Sequence, residues 1–186
     1  MLPRYATICN MPDLPDQSSQ PTLAQDCGLQ RPGPGWWAWL RDRHATLALL
    51  AAVPVWSVLL LWGNGHLRHP VGVWAWASFL LLQPVLEELV FRGILQGQAL
   101  RLSTRNGQPR RLGPVTLANV LVTVAFVALH LRAQPLAWAL AVAGPSLVFG
   151  HLRERFGSVW PAILVHIIYN AGFGLTAWLV AMPVPG

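Results

Sequence analysis

Glu87 and Glu88 stand side by side inside the apolar stretch 74–100, and they are two of only three glutamates in the chain. An ionisable group at membrane depth costs roughly 2.5 kcal/mol or more unless it finds a partner or a wet cavity, so adjacent carboxylates there call for a functional reason. On a helix, residues four apart share a face, which lets Glu88 reach Arg92 and turns Glu87 about 100° away. Glu88 can thus be neutralised and clamped, while Glu87 stays beside a like charge in low-dielectric surroundings, as suits a general base. A buried ion pair with a purely structural role would account for Glu88 and Arg92 and leave Glu87 without a reason.

His130 closes the apolar segment 117–131, one turn after Phe126, and in the last apolar segment His166 and Asn170 again lie four apart. A lone histidine near the end of a span is more often an interfacial or hydrogen-bonded residue than a catalyst. An imidazole and an amide sharing one face of a membrane helix, however, need a partner or water, which directs both into the interior that holds Glu87. One free carboxylate, two imidazoles and an amide suit hydrolysis of an amide bond. A carboxylate with a histidine takes a proton from water, and a second histidine with an asparagine donates to the developing oxyanion. Glu87, His130 and His166 would equally serve as zinc ligands with an open fourth position. No His-Glu-x-x-His sequence is present, and spacing leaves both alternatives open.

The elements that must position these residues follow from composition. Of 186 residues, 54% are hydrophobic and 11% charged, and the mean hydropathy is +0.44, a membrane-protein profile. Apolar segments run roughly over 44–62, 72–99, 114–131, 135–151 and 158–181, each near the length of about 20 helical residues that crosses a bilayer core. The expected fold is an all-α, polytopic transmembrane helix bundle of about five spans, over 36–186. Residues 1–35 are rich in Pro, Gln, Ser and Asp and are expected to form a mobile polar tail. Trp36, Trp37 and Trp39, followed by Arg41 and Arg43, predict an interfacial anchor.

All basic residues are arginines, and they alternate between the two sides of the spans. Arg31, Arg41, Arg43, Arg101, Arg105, Arg110, Arg111, Arg153 and Arg155 fall on one side, with Arg68 and Arg132 on the other. The positive-inside rule then predicts a cytoplasmic N-terminus and an outside C-terminus in a cell inner membrane. The pI near 11.0 does not signal nucleic-acid binding, because no basic helix or aromatic-basic interleaving accompanies it. Cys9 and Cys27 lie too far apart for a Cys-x-x-Cys site and receive no role. Counting residues from the nearest segment ends puts His130 deeper than Glu87, so the third span is expected to tilt strongly or to begin outside the bilayer.

Glu87-Glu88-x-x-x-Arg92, Phe126-x-x-x-His130 and His166-x-x-x-Asn170, in that order within apolar helices, resemble the three signature motifs of the CPBP family, which comprises the type II CAAX prenyl endopeptidases and their bacterial relatives. The stretch 150–171, with its short basic turn and Gly-Ser-x-Trp-Pro before the helix bearing His166 and Asn170, is similar to the family's last motif region. The resemblance covers roughly 72–175. It implies intramembrane peptide hydrolysis in which Glu87 and His130 activate water, His166 and Asn170 stabilise the oxyanion, and Glu88 and Arg92, with Phe126, support the site. It also implies no cofactor, with zinc as the alternative.

The chain is shorter than larger relatives of up to eight spans, so a prenylated CAAX substrate is not carried over. The expected substrate is a membrane-associated protein or peptide, such as one with a C-terminal sorting tail, processed at the lipid bilayer of a GC-rich bacterium. Two rival functions remain: a catalytically inactive binding or immunity protein of the same fold, and a proton-coupled transporter, for which buried Glu and His residues would be a relay. A transporter would be expected to show inverted repeats, and none is visible in the sequence. Pro84, one turn before Glu87, is expected to open a local gap in backbone hydrogen bonding.

Overall fold

The computed structural model describes residues 22–32, 35–62 and 67–182. In chain order these form α1 (Leu23–Asp26), a 3₁₀ turn (Ala38–Arg41) and α2 (Arg43–Trp62). A continuous helical run over 73–103 follows, composed of α3 (Val73–Ala77), a wide π turn (Ser78–Leu82), α4 (Gln83–Glu88), a second π segment (Leu89–Leu95) and α5 (Gln96–Ser103). Beyond two small hairpins come α6 (Leu117–His130), α7 (Leu136–Ala141), α8 (Ala143–Phe156) and α9 (Trp160–Ala181). The architecture is the all-α polytopic bundle that the apolar segments predict, and each of the five segments is occupied by helix. Three helical stretches, Arg43–Trp62, Leu136–Phe156 and Trp160–Ala181, are long and apolar enough to cross a membrane.

The bundle packs on small residues. Ala45, Ala48 and Ala52 are buried on one face of α2, three and four residues apart, and this close approach lets the Tyr169 hydroxyl of α9 donate to the Ala48 carbonyl at 2.5 Å. The opposite face of α2 exposes Leu47, Leu50, Val53 and Leu61, an apolar surface suited to lipid. Between α6 and α8, Gly150 lies directly against the Asn119 side chain, where any larger residue would collide with it. Asn119 in turn donates from Nδ2 to the Leu147 carbonyl at 3.0 Å.

Thr104–Arg105 pairs with Gln108–Pro109, and Arg111–Leu112 pairs with Val115–Thr116. Asn106 and Gly107 both have positive φ, 51° and 73°, as a two-residue type I′ hairpin turn requires. These hairpins remove the expected depth conflict. The helix bearing Glu87 extends to Ser103 and α6 begins only at Leu117. Glu87 therefore lies about 24 Å and His130 about 20 Å from the hairpin end of the bundle. The two residues reach similar depth, and no special tilt is needed.

The polar segment before the first span departs from expectation. Residues 1–21, including Cys9, lie outside the described residues. Residues 22–32, however, dock against the bundle. The Gly28 carbonyl accepts from Val159 N–H at 2.9 Å, the Asp26 carbonyl from Arg153 Nη2 at 2.8 Å, and the Gln30 carbonyl from Ser158 Oγ at 2.8 Å. Composition alone predicts a mobile polar tail here. Backbone carbonyls rather than apolar side chains make the attachment, and hydropathy does not register them. Arg153, counted among the loop cations, is 5% exposed because this segment covers it.

Trp39 also departs from the interfacial anchor: it is 1% exposed, with its ring edge-on to Phe156 at 6.2 Å. Asp42, at the start of α2, is gripped by Arg155 through Nε at 2.8 Å and Nη2 at 2.6 Å. This guanidinium holds the Asp42 carboxyl well below the usual carboxylate range.

Gly97 packs against the Asp26 carbonyl, and an added Cβ there would meet that backbone directly. Gly97→Leu is expected to expel residues 22–32 while leaving the helices folded. Hydrogen exchange at the Val159 amide, whose partner is the Gly28 carbonyl, should then accelerate by about tenfold or more. Unchanged protection at Val159 would contradict the docking.

Candidate active site

The site is built around the carboxylate of Glu88. Its side chain and that of Arg92 are both fully buried, with Arg92 Nε 3.2 Å from Glu88 Oε2. The pair shares one helix face, as the four-residue spacing predicts. The approach is ionic rather than a well-aligned hydrogen bond, since neither Nε nor Oε2 has a hydrogen-bond partner of good geometry. The second oxygen, Oε1, accepts from His166 Nδ1 at 2.9 Å, so one buried carboxylate ties α4 to α9.

Arg92 extends the connection to α8. Its Nη2 donates to the Ser146 carbonyl at 3.0 Å and to Ser146 Oγ at 2.8 Å, and Ser146 Oγ lies 2.9 Å from Thr123 Oγ1 of α6. The guanidinium carbon sits 4.7 Å from the Phe126 ring centroid and 5.5 Å from that of Phe149. Aromatic faces thus surround the charge where hydrogen-bond acceptors run out. One turn further on, Gln96 donates to the Gly150 carbonyl at 3.0 Å and to Glu154 Oε1 at 2.7 Å.

Glu87 points elsewhere, as expected. Its Oε2 is 3.9 Å from His166 Nε2, and its side chain is 26% exposed, in contrast to the sealed Glu88. The His166 ring is stacked on Phe149, 4.7 Å between centroids and 20° between planes. Because Nδ1–H is given to Glu88, the nitrogen left facing Glu87 is Nε2. His130, at the end of α6, lies 4.4 Å from Phe126 ring to ring and has Nδ1 2.9 Å from the Phe126 carbonyl. A carbonyl can only accept, so Nδ1 carries the proton and Nε2 is again the free nitrogen. Asn170 donates from Nδ2 to the Phe79 carbonyl at 2.9 Å.

The structure therefore brings Glu87, Glu88, Arg92 and His166 into direct contact and places Phe126 and His130 on the neighbouring wall. His166 Nε2 is 3.9 Å from Glu87, and His130, the expected partner, is also within electrostatic reach of that carboxylate. Of the two residues expected to serve an oxyanion, His166 gives Nδ1–H to Glu88 and Asn170 gives one N–H to the Phe79 carbonyl. Spacing along one helix cannot reveal which imidazole meets which carboxylate across helices. Sequence analysis also missed Ser146, Thr123, Phe149 and Gln96. Ser146, Thr123 and Gln96 are marked in the sequence only as polar residues inside apolar segments, and Phe149 gave no signal at all. Cys27 stays free. Among the described residues no three His, Cys, Asp or Glu side chains gather closely enough to hold a metal ion.

The family model described as type II CAAX prenyl endopeptidase Rce1-like matches residues 68–172. That span exceeds half of the chain and includes every residue of the site, and the protein belongs to this family of intramembrane proteases, within the wider CPBP group. No curated protein and no solved structure matches the chain. Membership makes a membrane location and a membrane-associated peptide substrate the general expectation.

Removing either side of the sealed ion pair would strand the other charge. Glu88→Gln and Arg92→Ala are each expected to destabilise the fold by about 3–5 kcal/mol, measurable by thermal or denaturant unfolding in detergent micelles. Wild-type stability in either variant would show that the pair is not what the bundle closes on.

Proposed function

We propose that the protein is an endopeptidase that hydrolyses a peptide bond of a membrane-associated protein using a water activated by Glu87. The observation that carries this reading is the 3.9 Å separation of Glu87 Oε2 and His166 Nε2. The gap is too long for a direct hydrogen bond and suits one bridging water, which at about 2.8 Å from each atom would subtend roughly 90°. Both atoms are acceptors, so they draw the two water protons inward and turn an oxygen lone pair toward the substrate.

Glu87 takes a proton as the water oxygen adds to the carbonyl carbon. Collapse of the tetrahedral oxyanion breaks the C–N bond, and Glu87 returns the proton to the leaving nitrogen. His130, anchored through Nδ1, presents Nε2 from the α6 wall as a further acceptor beside Glu87. The reaction is proposed to be metal-free. Zinc on Glu87, His130 and His166 is the alternative, and both histidines carry the tautomer that zinc ligands use.

The arginine-rich end, with Arg101 on Asp26 and Arg155 on Asp42, is assigned to the cytoplasm, and the C-terminus to the outside of a bacterial inner membrane. The substrate is read as a membrane-anchored protein cut near a C-terminal tail.

Two internally quenched peptides test this in lipid nanodiscs: one ending in farnesylated Cys-a-a-X and one carrying an unprenylated C-terminal apolar helix. At least one should be cleaved, and Glu87→Gln should slow cleavage by about 100-fold or more without loss of folded protein. Full activity in Glu87→Gln would remove Glu87 as base, and binding without cleavage would make the protein an inactive binder. Chelation is expected to leave the wild-type rate unchanged; its loss would move the site to zinc.

A further inference from the structure

Asn170 spends its amide on the helix that carries the glutamates, at the place where that helix changes pitch. Gln83 N–H closes the wide π turn on the Ser78 carbonyl. The next donor in that register would serve the Phe79 carbonyl, but the next residue is Pro84, which has no N–H. The Phe79 carbonyl is therefore orphaned within its own helix, and Asn170 Nδ2 supplies the missing hydrogen bond from α9 at 2.9 Å.

His166, one turn earlier on α9, holds Glu88 at 2.9 Å. The two attachments lie on either side of Pro84, and their spacing is consistent. A helix carbonyl points toward the C-terminus and a side chain leans toward the N-terminus. The Phe79 oxygen and the Glu88 carboxylate thus approach one another along the axis, and the four residues from His166 to Asn170 span about 6 Å between them. Two grips, one before and one after the pitch change, fix how far the helix is rotated where Glu87 leaves it.

We propose that Asn170 is a positioning residue: by holding the Phe79 carbonyl opened by Pro84, it sets the rotation at which Glu87 faces His166. The clamp deepens the assignment of Glu87 as base, on which its catalytic consequence rests. Its geometry is testable without any substrate.

The test uses full-length protein in lipid nanodiscs, labelled with ¹⁵N-histidine, with the His166 resonances assigned by comparison with His166→Gln. Glu87 Oε2 lies 3.9 Å from His166 Nε2, so at one fixed pH Asn170→Ala should move the His166 Nε2 resonance away from its wild-type position. Adding Pro84→Ala, which supplies an N–H to the Phe79 carbonyl in the same register, should bring it back toward wild type. The quenched peptides should follow: cleavage lost in Asn170→Ala should recover by about tenfold in Asn170→Ala/Pro84→Ala, in kcat rather than KM.

An unchanged His166 resonance in Asn170→Ala overturns the clamp, because a residue serving only the oxyanion has no effect before substrate binds. A displaced resonance that Pro84→Ala fails to restore overturns it as well. If Asn170→Ala alone does not fold, recovery of folded protein in the double variant supports the clamp and its absence overturns it. Should the resonance behave as expected while Glu87→Gln stays active, the clamp stands and the base assignment falls.

Discussion

A carboxylate sealed from solvent inside an apolar bundle is the constraint from which the rest of the structure follows. Glu88 is affordable at that depth only because Arg92 neutralises it and His166 donates to its second oxygen, since an isolated buried charge has no stable place in such a medium. The guanidinium in turn needs partners for its own N–H groups. It finds them in Ser146 on α8, which meets Thr123 on α6, and in the faces of Phe126 and Phe149. Four helical elements are thereby brought to one point by the solvation demands of one ion pair. Close packing of small residues, such as Gly150 on Asn119, is what lets their backbones approach far enough to meet those demands.

The same network leaves Glu87 free. With Glu88 fully buried and Glu87 a quarter exposed, two chemically identical side chains in adjacent positions acquire different environments: one closed and paired, the other open beside an imidazole. Their separation depends on helix rotation, and that rotation is shaped by the wide turns on either side of α4. Wide π turns are common where a helix must aim a functional side chain, and Pro84 supplies the break in hydrogen bonding between the first of them and Glu87.

At the arginine-rich end, residues 22–32 pass beneath the groove between the helix over 89–103 and the turn from α8 to α9. The bare backbones of Gly93 and Gly97 admit the Cys27 and Asp26 carbonyls, and Trp160 Nε1 approaches the Leu29 carbonyl at 3.4 Å. This puts polypeptide across the arginine-rich end of the bundle. Apolar side chains of α2 and α3, among them Leu61, Val73 and Trp74, are exposed on the outer surface.

Much of this was legible in the sequence. Two glutamates at membrane depth, a cation four residues after the second, and His-x-x-x-Asn in the last span require helices and a shared polar interior, because solvation cost and helical periodicity are local properties. The pairing of Glu88 with Arg92 and the divergence of Glu87 followed from one helix alone. Tertiary structure decided that His166 ties Glu88 and stands beside Glu87, that Asn170 meets the Phe79 carbonyl, and that the polar segment 22–32 is docked. Each of these is a contact between elements, governed by helix rotation, by a pitch change at Pro84, and by backbone carbonyls. Residue type and spacing along a single chain do not encode those contacts directly.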